Sequence, residues 1–521
     1  MADQTDLAIE LKNISKSFGA VQANKNIHLQ VKKGTIHGIV GENGAGKSTL
    51  MSILYGFYKA DEGEIFVNGK LTQIHNSKEA IAAGIGMVHQ HFMLVENFSL
   101  LENVILGAEG GQMLAKGEAH AREELQRLQK DYGLTVDPDA LVEDVSVGQQ
   151  QRVEILKALY RGAEILILDE PTGVLTPSEV EQLFKILHQL KNQGTTIILI
   201  THKLREIMQI TDNVSVMRQG EIVADRETKN TSPQELAELM VGRSVLLKVD
   251  KQPAQPKENL LEIKGLEYID DDGVKRIKNI DLHVRSGEIL GIAGVSGNGQ
   301  SLLLEIIAGI TKATKGEMYI KGKKVDILGG VDAADIRALG VAHVPEDRHE
   351  MGLVLDFEEW ENSILGHQNE PHHSIGQIFK QGVIREDARK MMDEFDIRPR
   401  NERLKSSKFS GGNQQKIVIA REINSNPDIL LVGQPTRGVD IGAIEYIHKQ
   451  IIAMRDAGAA VLLVSVELDE ILSLSDRTIV MFDGFISGER VTSETNDADL
   501  GLLMAGIDDQ QTKQPQTEGA N

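Results

Sequence analysis

The 521-residue chain has no cysteine. Disulfides and thiolate metal sites are therefore excluded, and a reducing compartment fits. Long apolar runs are missing too: the longest, such as Ile197-Ile198-Leu199-Ile200, are strand-sized, far short of the ~20 residues that span a bilayer. Met1 to Glu10 carries acidic residues and no basic stretch followed by an apolar one, so no secretory leader is expected there. Positive charge is scarce, with 56 Lys and Arg against 77 Asp and Glu and a formal net charge of −21. Such a surface repels polyphosphate backbones as a whole, so nucleic acid is not an expected partner. Any phosphate site must be assembled locally, from backbone N–H groups and one or two cations.

Apolar residues make up 41% of the chain and are spread along it, enough to fill two cores of about 250 residues each. An internal repeat supports that division. Asn26 to Gly41 and Asn279 to Gly294 share the pattern Asn-Ile-x-Leu-x-Val, with Gly41 and Gly294 closing both copies. Further on, Ser146-Val-Gly-Gln-Gln-Gln pairs with Ser410-Gly-Gly-Asn-Gln-Gln. Apolar strand runs alternate with helical patterns in each half, which implies an α/β layer architecture. The expected organisation is a first domain over 1–243, an exposed linker over 244–258 around Lys251-Gln-Pro-Ala-Gln-Pro-Lys257, a second domain over 259–506 and a disordered polar tail over 507–521.

Two motifs in the first half carry chemistry. Gly41-Glu42-Asn43-Gly44-Ala45-Gly46-Lys47-Ser48-Thr49 follows a strand run and precedes a helical one, the context of a Walker A phosphate loop. Its glycines let N–H groups turn toward a phosphate, Lys47 offsets phosphate charge, and Ser48 offers a hydroxyl to Mg²⁺. Ile165-Leu-Ile-Leu-Asp169-Glu170 is an apolar strand ending in two acids. Asp169 is placed to hold Mg²⁺ through a water, and Glu170 to polarise an attacking water.

Ser146-Val-Gly148-Gln149, just upstream of that strand, resembles the signature motif of ATP-binding cassette (ABC) proteins. The resemblance covers nearly the whole chain. It implies two tandem ABC-type P-loop domains, each a RecA-like α/β core with an antiparallel β subdomain and a helical signature subdomain. It also implies that Gln90 is the Q-loop glutamine bridging Mg²⁺ and the transport domain, that His202 is the switch histidine at the γ-phosphate, and that Phe18 stacks on adenine. His89 and His91 flank Gln90 without a third ligand near in sequence, so a docking surface is favoured over a metal site. Met87, Phe92 and Met93 are open between core packing and a groove for a partner helix.

In the second half the counterparts are altered. Gly294, Gly297 and Gly299 keep the glycine cradle ahead of Ser301, but Gln300 stands for the lysine. Gly433 replaces the metal-site carboxylate, Gln434 the catalytic acid and Val466 the histidine, and Glu346 stands where Gln90 would. The signatures differ the other way: Ser410-Gly411-Gly412-Asn413-Gln414 keeps both glycines, whereas Val147 interrupts the first copy. Head-to-tail pairing, which the resemblance implies, gathers Lys47, Ser48, Gln90, Asp169, Glu170 and His202 with Ser410 to Gln414 in one hydrolytic site. The degraded parts, with Ser146, Gly148 and Gln149, fall in the other.

Twin cassettes without membrane spans resemble the ATPase subunits of bacterial nucleoside and simple-sugar importers. Gly86 to Glu96, His343-Val-Pro-Glu-Asp-Arg-His349 and Gln434-Pro-Thr-Arg-Gly-Val-Asp440 look like the purine-nucleoside branch, with ribose-type importers the runner-up. The resemblance implies ATP and Mg²⁺ as cofactors, two membrane permease subunits and an extracytoplasmic substrate-binding lipoprotein as partners, and one copy per transporter. It places the chain peripherally on the cytoplasmic face of a bacterial plasma membrane. Soluble twin-cassette ATPases acting on ribosomes are an alternative of another class, but they carry a longer charged linker and two complete sites.

Overall fold

The computed structural model describes residues 6–507 except 20, 90–91, 109–113, 174, 176, 245–250, 296 and 440. Gln90, His91, residues 245–250 of the expected linker and residues 508–521 of the expected tail lie outside the described residues. The chain divides into two compact units, Met1–Val245 and Leu246–Asn521.

In the first unit a six-stranded sheet runs in the order Glu221–Glu227, Asn213–Arg218, Ile36–Gly41, Thr196–Ile200, Ile165–Asp169, Ile85–Val88. All neighbours are parallel except the outer pair Asn213–Arg218 and Glu221–Glu227. Every residue of Ile36–Gly41, Ile165–Asp169 and Thr196–Ile200 is buried. Helices cover both faces of such a sheet, so its strands read as unbroken apolar runs rather than alternating ones. A second, antiparallel sheet runs Val21–Lys32, Leu7–Phe18, Glu62–Val67, Lys70–Leu71. Its long strand Val21–Lys32 buries Ile27, Leu29 and Val31 and exposes the residues between them, the alternation of a sheet with one wet face. The helices Leu100–Ile105, Leu114–Tyr132 and Val147–Tyr160 pack together as a third part.

The second unit repeats the plan. Its mixed sheet runs Phe485–Val491, Arg477–Phe482, Glu288–Ala293, Ala460–Ser465, Ile429–Gly433, Val341–Val344, and its antiparallel sheet Lys275–Arg285, Asn259–Ile269, Lys315–Ile320, Lys323–Val325. Strand order is the same in both units, so the sequence repeat is a repeat of topology. Among the described residues, the hairpin of Ser374–Ile375 with Ile378–Phe379 occurs in the second unit alone.

Residues 251–258, expected in an exposed linker, are mostly exposed, and hydrogen bonds tie them to the second unit. Lys251 Nζ donates to the carbonyls of Leu474 at 2.8 Å and Ser475 at 2.6 Å. The buried Arg455 donates to the carbonyl of Gln252 at 2.9 Å and to Asp476 at 3.0 Å. Two prolines remove N–H donors here, so the segment is tied down by the Gln252 carbonyl, which accepts from Arg455, and by the Lys251 ammonium, which donates to second-unit carbonyls.

Candidate functional site: a phosphate loop with a paired-carboxylate strand end

In the first unit the strand Ile36–Gly41 runs into the helix Lys47–Leu54 through the glycine-rich loop. Gly46 caps that helix at φ +97°, and a Cβ there would lie 2.2 Å from the carbonyl oxygen of Ala23. Only glycine fits both demands. Asn24, fully buried, donates from Nδ2 to the Gly46 carbonyl at 3.0 Å and ties the loop to the antiparallel sheet. Its position, over twenty residues upstream, gave no sequence signal.

Lys47 is buried, and its ammonium donates to the carbonyls of Gly41 at 2.6 Å and Glu42 at 3.0 Å. Burial pulls its pKa below the usual lysine value, while the charges of Glu170, Asp169 and Glu42 oppose that shift. Ser48, exposed at the helix start, donates a hydrogen bond to Asp169. Burial and the neighbouring Glu170 hold the Asp169 carboxyl above its ordinary value, and the Ser48 bond and Lys47 charge partly offset this. A hydroxyl and a carboxylate converging at a phosphate loop form the hard-oxygen pair that suits Mg²⁺.

Glu170 follows directly on the strand Ile165–Asp169 in a left-handed conformation, φ +47°. For a non-glycine residue that backbone is strained, and it aims the side chain away from the strand direction. His202 Nδ1 donates to Glu170 Oε1 at 3.0 Å. Burial raises the Glu170 pKa, but the His202 bond and the charges of His202, Lys47 and Lys203 outweigh it, leaving the carboxylate below its usual value. Behind this pair, buried Glu206 accepts hydrogen bonds from Thr172 at 2.5 Å and Thr201 at 3.1 Å, fixing the segments that follow both strands. Lys47, Ser48, Asp169, Glu170 and His202 thus form one linked group.

The second unit keeps the backbone and changes the chemistry. Gln300 is buried like Lys47, and its amide donates to the Val295 carbonyl at 3.1 Å. Gly297 and Gly299 retain left-handed φ values of +93° and +97°. Gln434 keeps the strained conformation at φ +46°, and its Oε1 accepts from the N–H of Val466 at 3.2 Å. A Cβ on Gly433 would lie 3.0 Å from the backbone nitrogen of Glu346. Glu346 itself accepts from Ser301 and, at 3.2 Å, from Arg437.

Both signature segments begin helices. Ser146 and Gln149 form a reciprocal capping box on Val147–Tyr160. Ser410 caps Gly411–Asn424, taking hydrogen bonds from the backbone and side chain of Asn413 at 3.4 and 2.8 Å. A Cβ on Gly411 would meet an Arg348 nitrogen at 2.9 Å, whereas Val147 at the matching place is 38% exposed. Gly148 is confined by Glu179, whose Oε1 would lie 2.6 Å from a Cβ there, and Gly412 is buried. Gln414 is buried, donating to the Ser406 carbonyl at 3.0 Å and accepting from His349 at 2.8 Å. Its amide is thus bonded within the second unit. Arg348 and His349, singled out by motif alone, brace this turn.

Phe18 is 43% exposed at the end of its strand and meets the Tyr58 ring edge-to-face at 5.1 Å. A groove of about 230 Å³ is lined by Phe57, Met87, His89, Met93, Glu154 and Arg161 among others. Phe57 stacks on His89 at 5.4 Å, Met87 is buried, and Met93 is 58% exposed. Met87 therefore serves the core as well as the groove wall. Met93 belongs to the groove.

The family model described as "ABC transporter" matches residues 24–173 and again 277–437. A nucleoside import ATP-binding protein, NupA of Lactococcus lactis subsp. cremoris, is 49% identical over 97% of this chain and 99% of its own length. A guanosine import ATP-binding protein, NupO of Bacillus subtilis, is 48% identical over 96% and 98%. A ribose import ATP-binding protein, RbsA of Clostridium tetani, is 37% identical over 92% and 94%.

Proposed function

This chain belongs to the ABC transporter family, and we propose that it is the ATP-hydrolysing subunit of an importer whose solute is a nucleoside. The observation that carries the ATPase reading is the convergence of Lys47, Ser48, Asp169, Glu170 and His202 on one phosphate loop. The choice of nucleoside over ribose rests on the higher identity to proteins named for nucleoside and guanosine import. Membrane permeases are the partners such an importer requires. No helix among the described residues is long and apolar enough to cross a membrane, so association through permeases, at the cytoplasmic face, is the matching arrangement. The groove beside Phe57 and His89 has the apolar, methionine-lined character of a docking site for a permease helix. A substrate-binding lipoprotein and a single copy per transporter complete the proposal by resemblance.

In the hydrolytic step Lys47 exchanges its bonds to the Gly41 and Glu42 carbonyls for phosphate oxygens of the substrate ATP. Ser48 and Asp169 would hold Mg²⁺, which when bound offsets charge on the phosphates. Phe18 offers its ring face to adenine. Glu170, kept ionised by His202, orients the attacking water and takes its proton. His202 in turn positions Glu170 and is placed to sense the γ-phosphate. Gln90 joins the metal set by resemblance. So do Ser410, Gly411, Gly412 and Asn413 as the signature that completes the site, while Gln414 is proposed to support that turn from within.

Two measurements test the proposal. Changing His202 to Asn removes the largest influence that holds the Glu170 carboxylate down, leaving burial opposed only by the charges of Lys47 and Lys203. The acid limb of the ATPase pH profile should therefore move to higher pH, along with a fall in kcat; an unmoved limb would remove His202 from this role. For the solute, reconstituted transporter should take up labelled guanosine or adenosine with ATP consumption and leave ribose outside. Uptake of ribose with nucleosides excluded would transfer the chain to the sugar-importing branch.

A further inference from the structure

Beyond the ATPase site, the second unit holds a cluster of metal-ligating side chains on the segment that adds the hairpin. Donor atoms of His372, His373 and Asp387 all lie within 4.8 Å of one another. His372 and His373 precede the hairpin of Ser374–Ile375 and Ile378–Phe379, and Asp387 lies on the helix Gln381–Glu394. Two imidazoles and one carboxylate, from two separate elements, are the donor types that suit a borderline dication such as Zn²⁺. Ligands of a tetrahedral zinc stand roughly 3.3–3.5 Å apart, given Zn–N bonds of ~2.0–2.1 Å. Small side-chain rotations therefore suffice to close the set.

The hydrogen bonds around the cluster carry the inference further. His373 Nδ1 donates to the backbone carbonyl of His367 at 3.1 Å. A carbonyl can only accept, so Nδ1 carries the proton of this bond and Nε2 is the nitrogen left to offer a metal. That is the arrangement in which metal-bound histidines are held by their second nitrogen. His367 is itself committed elsewhere, to Glu370 at 2.7 Å and Arg337 at 2.9 Å, and so acts as a support. His372 Nε2 meets Asp387 Oδ2 at 2.7 Å, and the two rings stand edge-to-face at 5.1 Å. Lys390 approaches the other Asp387 oxygen at 3.9 Å. The His372–Asp387 contact already links the turn to the helix.

We propose that His372, His373 and Asp387 form a binding site for a zinc-class transition-metal dication that fastens the 371–373 turn to the helix Gln381–Glu394. The site is independent of the phosphate loop and of its Mg²⁺. Bound metal would hold in place the adjoining hairpin, which displays Ile375 and Ile378, 70% and 75% exposed.

Calorimetric titration of Zn²⁺ into tag-free, chelator-stripped full-length protein, with Mg²⁺ present in excess, tests the site. The expected result is one zinc equivalent whose Kd rises at least tenfold, roughly the loss seen when even an outer-shell partner is removed, in His372→Ala, His373→Ala and Asp387→Asn alike. His120→Ala, on an exposed histidine of the first unit, should bind as wild type does. His372 is 62% exposed, so its variant keeps the fold, and circular dichroism verifies this. Zinc uptake unchanged in stoichiometry and Kd by His372→Ala, or absent from the wild type, overturns the proposal.

Discussion

Glu170→Gln abolishes steady-state ATP hydrolysis while leaving nucleotide binding in place, a loss of about 10²–10⁴ in kcat on the usual scale of general-base catalysis. Substitution to glutamine is close to isosteric, and the second unit shows what the backbone does with it. Gln434 occupies the matching place with φ +46° against +47° for Glu170, and both N–H groups donate to the neighbouring strand, at 2.8 Å to Val464 and 2.9 Å to Ile200. The fold accepts either side chain in the same strained turn, so the loss is one of chemistry rather than of geometry. Phosphate release by the assembled transporter is the measurement, and wild-type turnover in the variant would refute the assignment of the base.

The reverse change, Gln434→Glu, should add no second activity. That unit still has Gln300 in place of a cation and Gly433 in place of the metal-site acid. Gly433→Asp cannot simply be added, because its Cβ would lie 3.0 Å from the Glu346 nitrogen and 3.1 Å from Leu304 Cδ1. Such separations are tighter than ordinary packing and require the Glu346 segment to shift. On the proposed reading, the second unit's lack of hydrolytic residues is accompanied by packing at Gly433 that one substitution would not undo.

The second large effect concerns stability. Glu359 is fully buried, and neither carboxylate oxygen has a hydrogen-bond partner. Burial, reinforced by the charge of Glu402, pushes its pKa up from 4.5 to about 8. Matching caps, Ser99 on Leu100–Ile105 and Glu358 on Glu359–Asn362, place Leu100 of the first unit at the equivalent position. Between pH 4.5 and 8 the folded chain holds a proton on Glu359 that the unfolded chain has released, so stability falls as pH rises through that window and levels off above it. Glu359→Leu removes this dependence and an unsatisfied buried group together. The gain should be greatest above pH 8, its pH-dependent part about 5 kcal/mol by the size of the shift. Thermal unfolding of variant and wild type across that range is decisive. A Tm difference that does not grow with pH would mean the carboxyl finds a partner.

Sequence alone was enough to show two repeated halves and to single out the glycine-rich loop between the strand Ile36–Gly41 and the helix Lys47–Leu54. Gly41 to Thr49 and Ile165 to Glu170 are local patterns: each element carries its own reason for glycine, lysine or acid, and the strand order of both units follows from a repeat visible as text. The contrast between Glu170 and Gln434 was equally legible, since it is a contrast of residue types. Other features depend on which distant segments meet, and no local pattern encodes that. Asn24, on the antiparallel sheet, bonds to the Gly46 carbonyl in the glycine-rich loop, and His349 bonds to the buried Gln414. His372 and His373 acquire Asp387 only because the turn folds back on a helix. Residues 251–258, polar and proline-bearing, read as exposed and mostly are, but the bonds of Lys251 and Arg455 that tie them to the second unit's edge had no local signal. The sequence by itself determined the architecture and the reaction, because both reside in short-range patterns of backbone need and charge. The tertiary structure decided which polar groups are spent on one another and which stay available to a ligand, because that depends on burial and on hydrogen-bond partners far away in the chain.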